Sequence, residues 1–467
     1  LAAAVIDATA DRELLAACKE CLATGERADR LLSNLRVFVS CVLAVDAGDV
    51  RGKELRGELT SLGSRFAVAV APVELLLARA PEAFFEACVS DPSLAQHRFR
   101  LSQERKLARH RLSLPEEKLL AAMAPDGIAA WGSLYDTLGG TLVCELDAPG
   151  GKRRLGLSAA ASLLRGGDRP LREAAWRAID SAYAAHEETC AAILNAIAGW
   201  RRTEYELRSR VASLHFLDPA LRQNRLSART LDAMMAAVDA SSRLGREALA
   251  LQARAMGVER LEVWDILAGA PRLHAASHPA APQSIPFEAG LDLVCRAYEA
   301  VDPAMAAFAR GEAAARRVEG RRLSTKRPGA FCTSFAKSRR TRVCMTYGGS
   351  LSEVSTLAHE LGHAYHTSLM ADIPLPESDY PMSLAETAST LAEAALGELL
   401  AREAKDDSAL LELGWSDAQD AATFLLNIPA RLFFEREFYA LRAERPQGPV
   451  ALGDLMEGAW KRYYGDA

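Results

Sequence analysis

The sequence predicts a mainly α-helical protein with one small β element, and three observations carry that expectation. Ala, Leu, Glu and Arg, all good helix formers, dominate the chain. Long windows such as "DRELLAACKECLATGERADRLLSNLRVFVSCVLAV" space their apolar residues by three and four rather than alternating them. Only Arg321 to Ser350 departs from this pattern. There Pro328-Gly329 and Gly348-Gly349 punctuate "AFCTSF" and "TRVCMTY", which read as two short strands of a hairpin or small sheet.

Length and charge narrow the class. A chain of 467 residues can hold two or three domains, or one large body with an appendage. A net charge of -5 argues against a general nucleic-acid binder or a protein of anionic membrane surfaces. No apolar run approaches the ~18 residues of a spanning helix. Turn composition at residues 147 to 153, 165 to 170 and 273 to 286 marks breaks, the last a long surface loop, and no internal repeat is visible. Nine scattered cysteines, an odd number, read as reduced thiols and predict a cytoplasmic protein. Cys18-x-x-Cys21 stands alone on a helical segment and reads as helix rather than as a redox or zinc site. The basic run from Arg316 to Arg342 reads as a solvated edge, with an anionic partner as the rarer alternative.

The chemistry concentrates in "STLAHELGHAYHTSL", which holds three of the nine histidines. Ser350-x-x-Glu353 is a capping-box pattern and Pro374 lies beyond the end, so a helix of about twenty residues is expected from Leu351. Val354, Leu357, Ala358, Leu361 and Tyr365 form its apolar stripe, with His359, His363 and His366 on the opposite side. His359 and His363, one turn apart, can point two imidazoles at one ion, with Glu360 beside its open side. This is the H-E-x-x-H arrangement, and it suits zinc best, although Mn²⁺ or Co²⁺ fits the same donors. The longer metzincin pattern fails, since His366 and Leu369 stand where Gly and His are required. His366 reads as a solvated or supporting histidine rather than a ligand.

A third ligand is expected from a second helix, Leu384 to Glu403, whose surface carries Glu386, Ser389, Thr390, Glu393 and Gly397 along one polar stripe. Glu386 is the favoured ligand, although Ser383-x-x-Glu386 could instead cap that helix. Glu393 would then orient a liganding imidazole from behind. Asp372, Glu377 and Asp379 are weaker candidates. Zinc polarises a carbonyl and acidifies water while Glu360 accepts the proton, so peptide-bond hydrolysis is the expected reaction.

"KRPGAFCTSF", "VCMTYGGSLSEVSTLAHELGHAYH" and "SLAETASTLAE" together resemble the oligoendopeptidase F family, in the clan of thimet oligopeptidase. The resemblance covers Leu112 onward, with residues 1 to 111 fitting only loosely. It implies a multi-helical zincin of gluzincin type, with a deep channel for short unfolded peptides and a small hairpin or sheet beside the active-site helix. His359, His363 and Glu386 fall on the family's zinc ligands, one zinc per chain, and Glu360 on its general base. The strand Thr341 to Tyr347 would pair with the substrate, with Tyr347, Gly348 and Gly349 in contact with it. The implied organisation is an N-terminal helical region, 1 to 111, an oligoendopeptidase F N-terminal-like domain, 112 to 189, and a zinc peptidase domain, 190 to 467. Family members continue past a segment like "NIPARLFFEREFYALR" to a histidine and tyrosines that act on substrate. Tyr463 and Tyr464 do not match those positions, and the expectation is a chain truncated at its C-terminus.

The function expected is hydrolysis of internal bonds in short oligopeptides, with no nucleic-acid or membrane partner and the oligomeric state open. A zinc carboxypeptidase, using a base from Arg316 to Arg342, and a non-catalytic peptide-binding remnant are the alternatives.

Overall fold

Helix-forming sequence becomes helix over most of the chain. The computed structural model describes residues 8–148, 151–210, 212–271, 284–323, 325–326 and 329–465. In chain order the first helices are α1 (Ala8–Val45), α2 (Val50–Arg79), α3 (Glu82–Ser90), α4 (Arg98–Lys106), α5 (Leu114–Met123) and α6 (Ile128–Thr141). A hairpin of β1 (Val143–Ala148) and β2 (Gly151–Gly156) leads to α7 (Leu157–Leu163), α8 (Arg169–Ala184), α9 (Glu187–Arg208), α10 (Asp218–Gln223) and α11 (Ala228–Met256). Next come α12 (Phe287–Val301), α13 (Pro303–Ala314), β3 (Val318–Glu319), β4 (Phe331–Phe335) and β5 (Arg340–Cys344). The chain continues with α14 (Leu351–Leu369), α15 (Met382–Glu403), α16 (Asp407–Ala422), a π-helical turn (Thr423–Asn427), α17 (Ile428–Glu444) and α18 (Pro449–Tyr464).

Contacts divide the chain into two units, and each is built from separated segments. The first comprises residues 1–122, 208–213 and 282–399, the second 123–207, 214–281 and 400–467. This division cuts across the three consecutive regions read from the sequence.

In the first unit α1 and α2 form a long hairpin closed by Leu32, Val39, Leu43 and Leu59. Cys18 is buried at its far end with Phe84, Phe85 and Cys88 of α3, a free thiol in an apolar cluster. Helix α2 is long and apolar enough by composition to cross a membrane, with a mean hydropathy of 1.5 over its best window. The expectation that no such segment exists is corrected here: a window tolerates the charges that interrupt a strictly apolar run. Helix α1 packs on β4. Thr325 donates to the Val45 carbonyl, and Lys337 N to the Asn34 side chain.

The three-stranded sheet has the order β3-β5-β4, with β3 parallel and β4 antiparallel to β5. Two of its strands lie where the sequence places them, shifted by a residue or a few. Strand β3 has two residues and is too short to show a period. The long loop read at 273 to 286 falls, over 273–283, outside the described residues, as does Pro328.

In the second unit the described residues of the break at 147–153 belong to the paired strand ends of the β1/β2 hairpin, whose inward residues Cys144 and Leu146 pack against α7 and α8. Its second strand, "GKRRLG", carries almost no apolar residue and so gives no strand signal. Tyr463 and Tyr464 are core residues here, packed with Leu249, Leu426 and Ala459, and Trp460 stacks on Tyr464 at 3.9 Å.

Candidate metal centre

Helix α14 begins with a complete capping box: Ser350 accepts from the Glu353 amide, and the Glu353 carboxylate accepts from the Ser350 amide. Val354, Leu357, Ala358 and Leu361 are fully buried, packed with α12 and α13, as their spacing predicts. Two hydroxyls fix the helix in rotation. The buried Tyr298 of α12 donates to the Ala358 carbonyl, and the half-buried Tyr365 donates to Asp302 at 2.8 Å. Arg339 ties the other end, donating to the carbonyls of Met370, Ala371 and Ile373 just beyond the last turn of α14. The opposite face of α14 meets α15.

There the Nε2 atoms of His359 and His363 lie 3.1 Å apart. One oxygen of Glu386, Oε2, lies 3.3 Å from the first and 3.4 Å from the second. Bonds of about 2.0–2.1 Å at tetrahedral angles put ligand atoms about 3.3 Å from one another, so this donor set fits a zinc ion. Three acceptor atoms converging in this way also repel unless a cation or protons lie among them. His359, His363 and Glu386 are the residues that could hold it. Helix α15 starts at Met382, so Ser383 lies inside it rather than at its cap.

Both imidazoles are held from behind. Glu393 Oε1 accepts from His359 Nδ1 at 2.9 Å, which leaves the Nε2 lone pair for the ion and raises the imidazole's pKa. His363 bonds to the Ala385 backbone, but its burial dominates and lowers its pKa. Glu360 is 5% exposed, and its Oε2 has no hydrogen-bond partner. Burial pushes its carboxyl up to about 7, against the pull of His359 and with help from Glu386 and Glu393. Cys332, on β4, is pushed up to about 12 by burial, with Glu360 the next cause. The sequence reading gave this thiol no place near the site, since only strand pairing brings it there.

Other sequence candidates lie elsewhere. His366 packs on Tyr380 at 4.6 Å with its Nδ1 buried and unpartnered, outside the donor set. Glu377 accepts from the Phe99 amide, and neither Asp372 nor Asp379 belongs to the set. Tyr347, Gly348 and Gly349, read as substrate contacts, are held by the chain itself. The Tyr347 ring is buried against Phe287, and its hydroxyl donates to the Ile285 carbonyl. A side chain at Gly348 would strike Arg322 and Glu353; Gly349, at φ +88°, receives the Ile285 amide on its carbonyl. The close approach that these glycines permit is that of the chain itself. Strand β5 is likewise enclosed, between β4 and an opposite side where Val343, Met345 and Tyr347 donate to the carbonyls of Arg317, Glu319 and Gly320.

The basic run is largely committed as well. Arg317 pairs with Glu312, and Arg321 and Lys326 hold Glu319, whose carboxyl falls to about 2. A cavity of about 450 Å³ lies between α1, β3 and β5, and none of the metal-donor residues lines it.

Comparison with known proteins gives the arrangement its relatives. The model of Peptidase family M3 matches residues 162–465. The chain belongs to peptidase family M3. A second model, Oligopeptidase F, matches residues 77–143. An oligoendopeptidase F homolog of Lactococcus lactis subsp. lactis is 25% identical over 272 residues, 56% of this chain and 42% of that protein. Oligopeptidase PepF of Bacillus subtilis is 21% identical over 68% of this chain and 46% of its own length. This M3 chain thus spans less than half the length of these relatives. Among solved structures, a candidate peptidase from Chlamydophila abortus superposes with a TM-score of 0.78 at 21% identity, over 98% of this chain and 75% of that one. Oligoendopeptidase-F from Enterococcus faecium gives 0.69 at 19%, over 96% and 74%. At such identities the likeness is one of fold, and the fold is that of the helical M3 peptidases.

Proposed function

We propose that this M3 family member is a zinc-dependent endopeptidase that cuts internal bonds of short unfolded peptides. The observation that carries the reading is the convergence of His359, His363 and Glu386 beside a buried, half-unpartnered Glu360. A bound zinc ion would polarise the scissile carbonyl and acidify the attacking water. In this reading the Glu360 carboxylate takes a proton and returns it to the leaving amine, and a carboxyl held near neutrality suits both directions. Glu393 keeps His359 in the tautomer that leaves Nε2 free. An extended peptide would add to the outer edge of β4, since β5 is already paired on both sides. The nine free thiols support a reducing, cytoplasmic setting.

The test pairs metal analysis with cleavage of a short, internally quenched peptide blocked at both ends, comparing the chain with Glu360→Gln. Zinc in both proteins and cleavage only by the first is the expected result. A requirement for a free peptide C-terminus would point to a carboxypeptidase, and zinc without turnover to a peptide-binding protein. Absence of zinc from the wild-type chain overturns the reading.

A further inference from the structure

Ser389 lies on α15, one turn beyond Glu386, and is wholly buried. Its hydroxyl lies 2.7 Å from Glu386 Oε2, the same oxygen that faces both imidazoles, and 3.0 Å from the Glu386 main-chain carbonyl. The carboxylate is the shorter and the charged acceptor, so it takes the proton more strongly. The Glu386 side chain is 47% exposed, and its Oε2 is met by the two imidazoles and the Ser389 hydroxyl. Left to itself such a side chain samples solvent-facing rotamers.

Ser389 is where it is because two helices nearly touch. A Cβ on Gly362 would sit 2.8 Å from the Ala392 side chain, 3.0 Å from the Ala388 carbonyl and 3.1 Å from the Ser389 Cα. Only a residue without a side chain lets α14 and α15 approach so closely. Gly362 immediately precedes His363, and Ser389 follows Glu386 by three residues, so the crossing point sits within one turn of ligands on both helices. The spacing of the donor set is therefore set at this contact.

We infer that Ser389, seated against Gly362, is a positioning residue that fixes the metal-facing oxygen of Glu386. The inference rests on the reading that His359, His363 and Glu386 bind the ion. A serine that only bonds back to its own helix would leave metal affinity untouched, which makes the two roles separable.

The experiment measures zinc affinity by competition with a chromophoric chelator, together with the thermal midpoint of the metal-stripped protein. Ser389→Ala should weaken zinc binding about 10- to 100-fold while the metal-free midpoint stays in place. Gly362→Ala should weaken it at least as much, and adding Ala392→Gly, which removes the nearest clash, should restore part of the loss. Wild-type affinity in Ser389→Ala overturns the inference, as does an affinity loss that merely follows a fall in midpoint. If the wild-type chain itself takes up no zinc, the metal reading fails first, and the inference falls with it.

Discussion

Two buried carboxylates, one in each unit, are treated in opposite ways. Asp265 is 1% exposed and receives Arg169 and Arg172, each at 2.8 Å, plus the Glu262 amide at 3.0 Å. Those donors hold its pKa below the usual value although burial pushes the other way. Glu360 is buried almost as deeply, yet one of its oxygens has no partner and its carboxyl rises to about 7. Burying a charge is costly unless it is paired and hydrogen-bonded. The chain meets that cost where it joins α8 to the segment before residue 271, and leaves it unmet beside the donor set. Rigid structure uses the first solution, and proton transfer needs the second.

The contrast can be broken at either carboxylate. Glu360→Gln should lower kcat/KM for a blocked peptide by about 10²- to 10⁴-fold while zinc content and thermal midpoint hold. A clear loss of stability would mean that Glu360 is structural after all. Asp265→Ala should cost about 3–5 kcal/mol, because it strands the buried Arg172, and urea denaturation measures this. Acid sharpens the same point. The folded pKa of Asp265 lies below the unfolded one, so its contribution is present above the ordinary carboxylate range and is lost as pH falls through the folded value. A plot of urea midpoint against pH should therefore fall less steeply in the acid range for Asp265→Asn than for the wild type.

Smaller effects probe the support around the donor set. Glu393→Gln should weaken zinc affinity about 10- to 100-fold, read by chelator competition. Ser350→Ala should cost about 1 kcal/mol of stability through the lost cap and leave zinc affinity unchanged, since the box lies two turns before His359.

What the sequence made legible was local. The capping box, the H-E-x-x-H spacing and the buried stripe of α14 all follow from residues within five turns of one another. Glu386 and Glu393 were within reach because a polar stripe on an apolar helix signals a partner, although not which one. Gly362 carries no signal in the sequence, because the feature that explains it, the surface of α15, is distant in the chain. What holds Tyr347 was hidden for the same reason, since Ile285 and Phe287 lie some sixty residues earlier. Strand β3 and the hairpin of the second unit lack the length or apolar alternation that a period requires. The two-unit division could not be read at all, because no local pattern says which separated segments will pack.

The tie between the first helix and the sheet has a consequence in time. Lys337 bonds to Asn34 across 303 residues, and α1 packs on β4. At about 5–20 residues per second, roughly 15–60 s of synthesis separates the two partners. Two segments of the second unit are made in that interval. The side of α1 that finally covers β4 must wait, uncovered, through the birth of another folding unit. Yield of folded protein should therefore respond to translation rate and temperature more than stability alone would suggest.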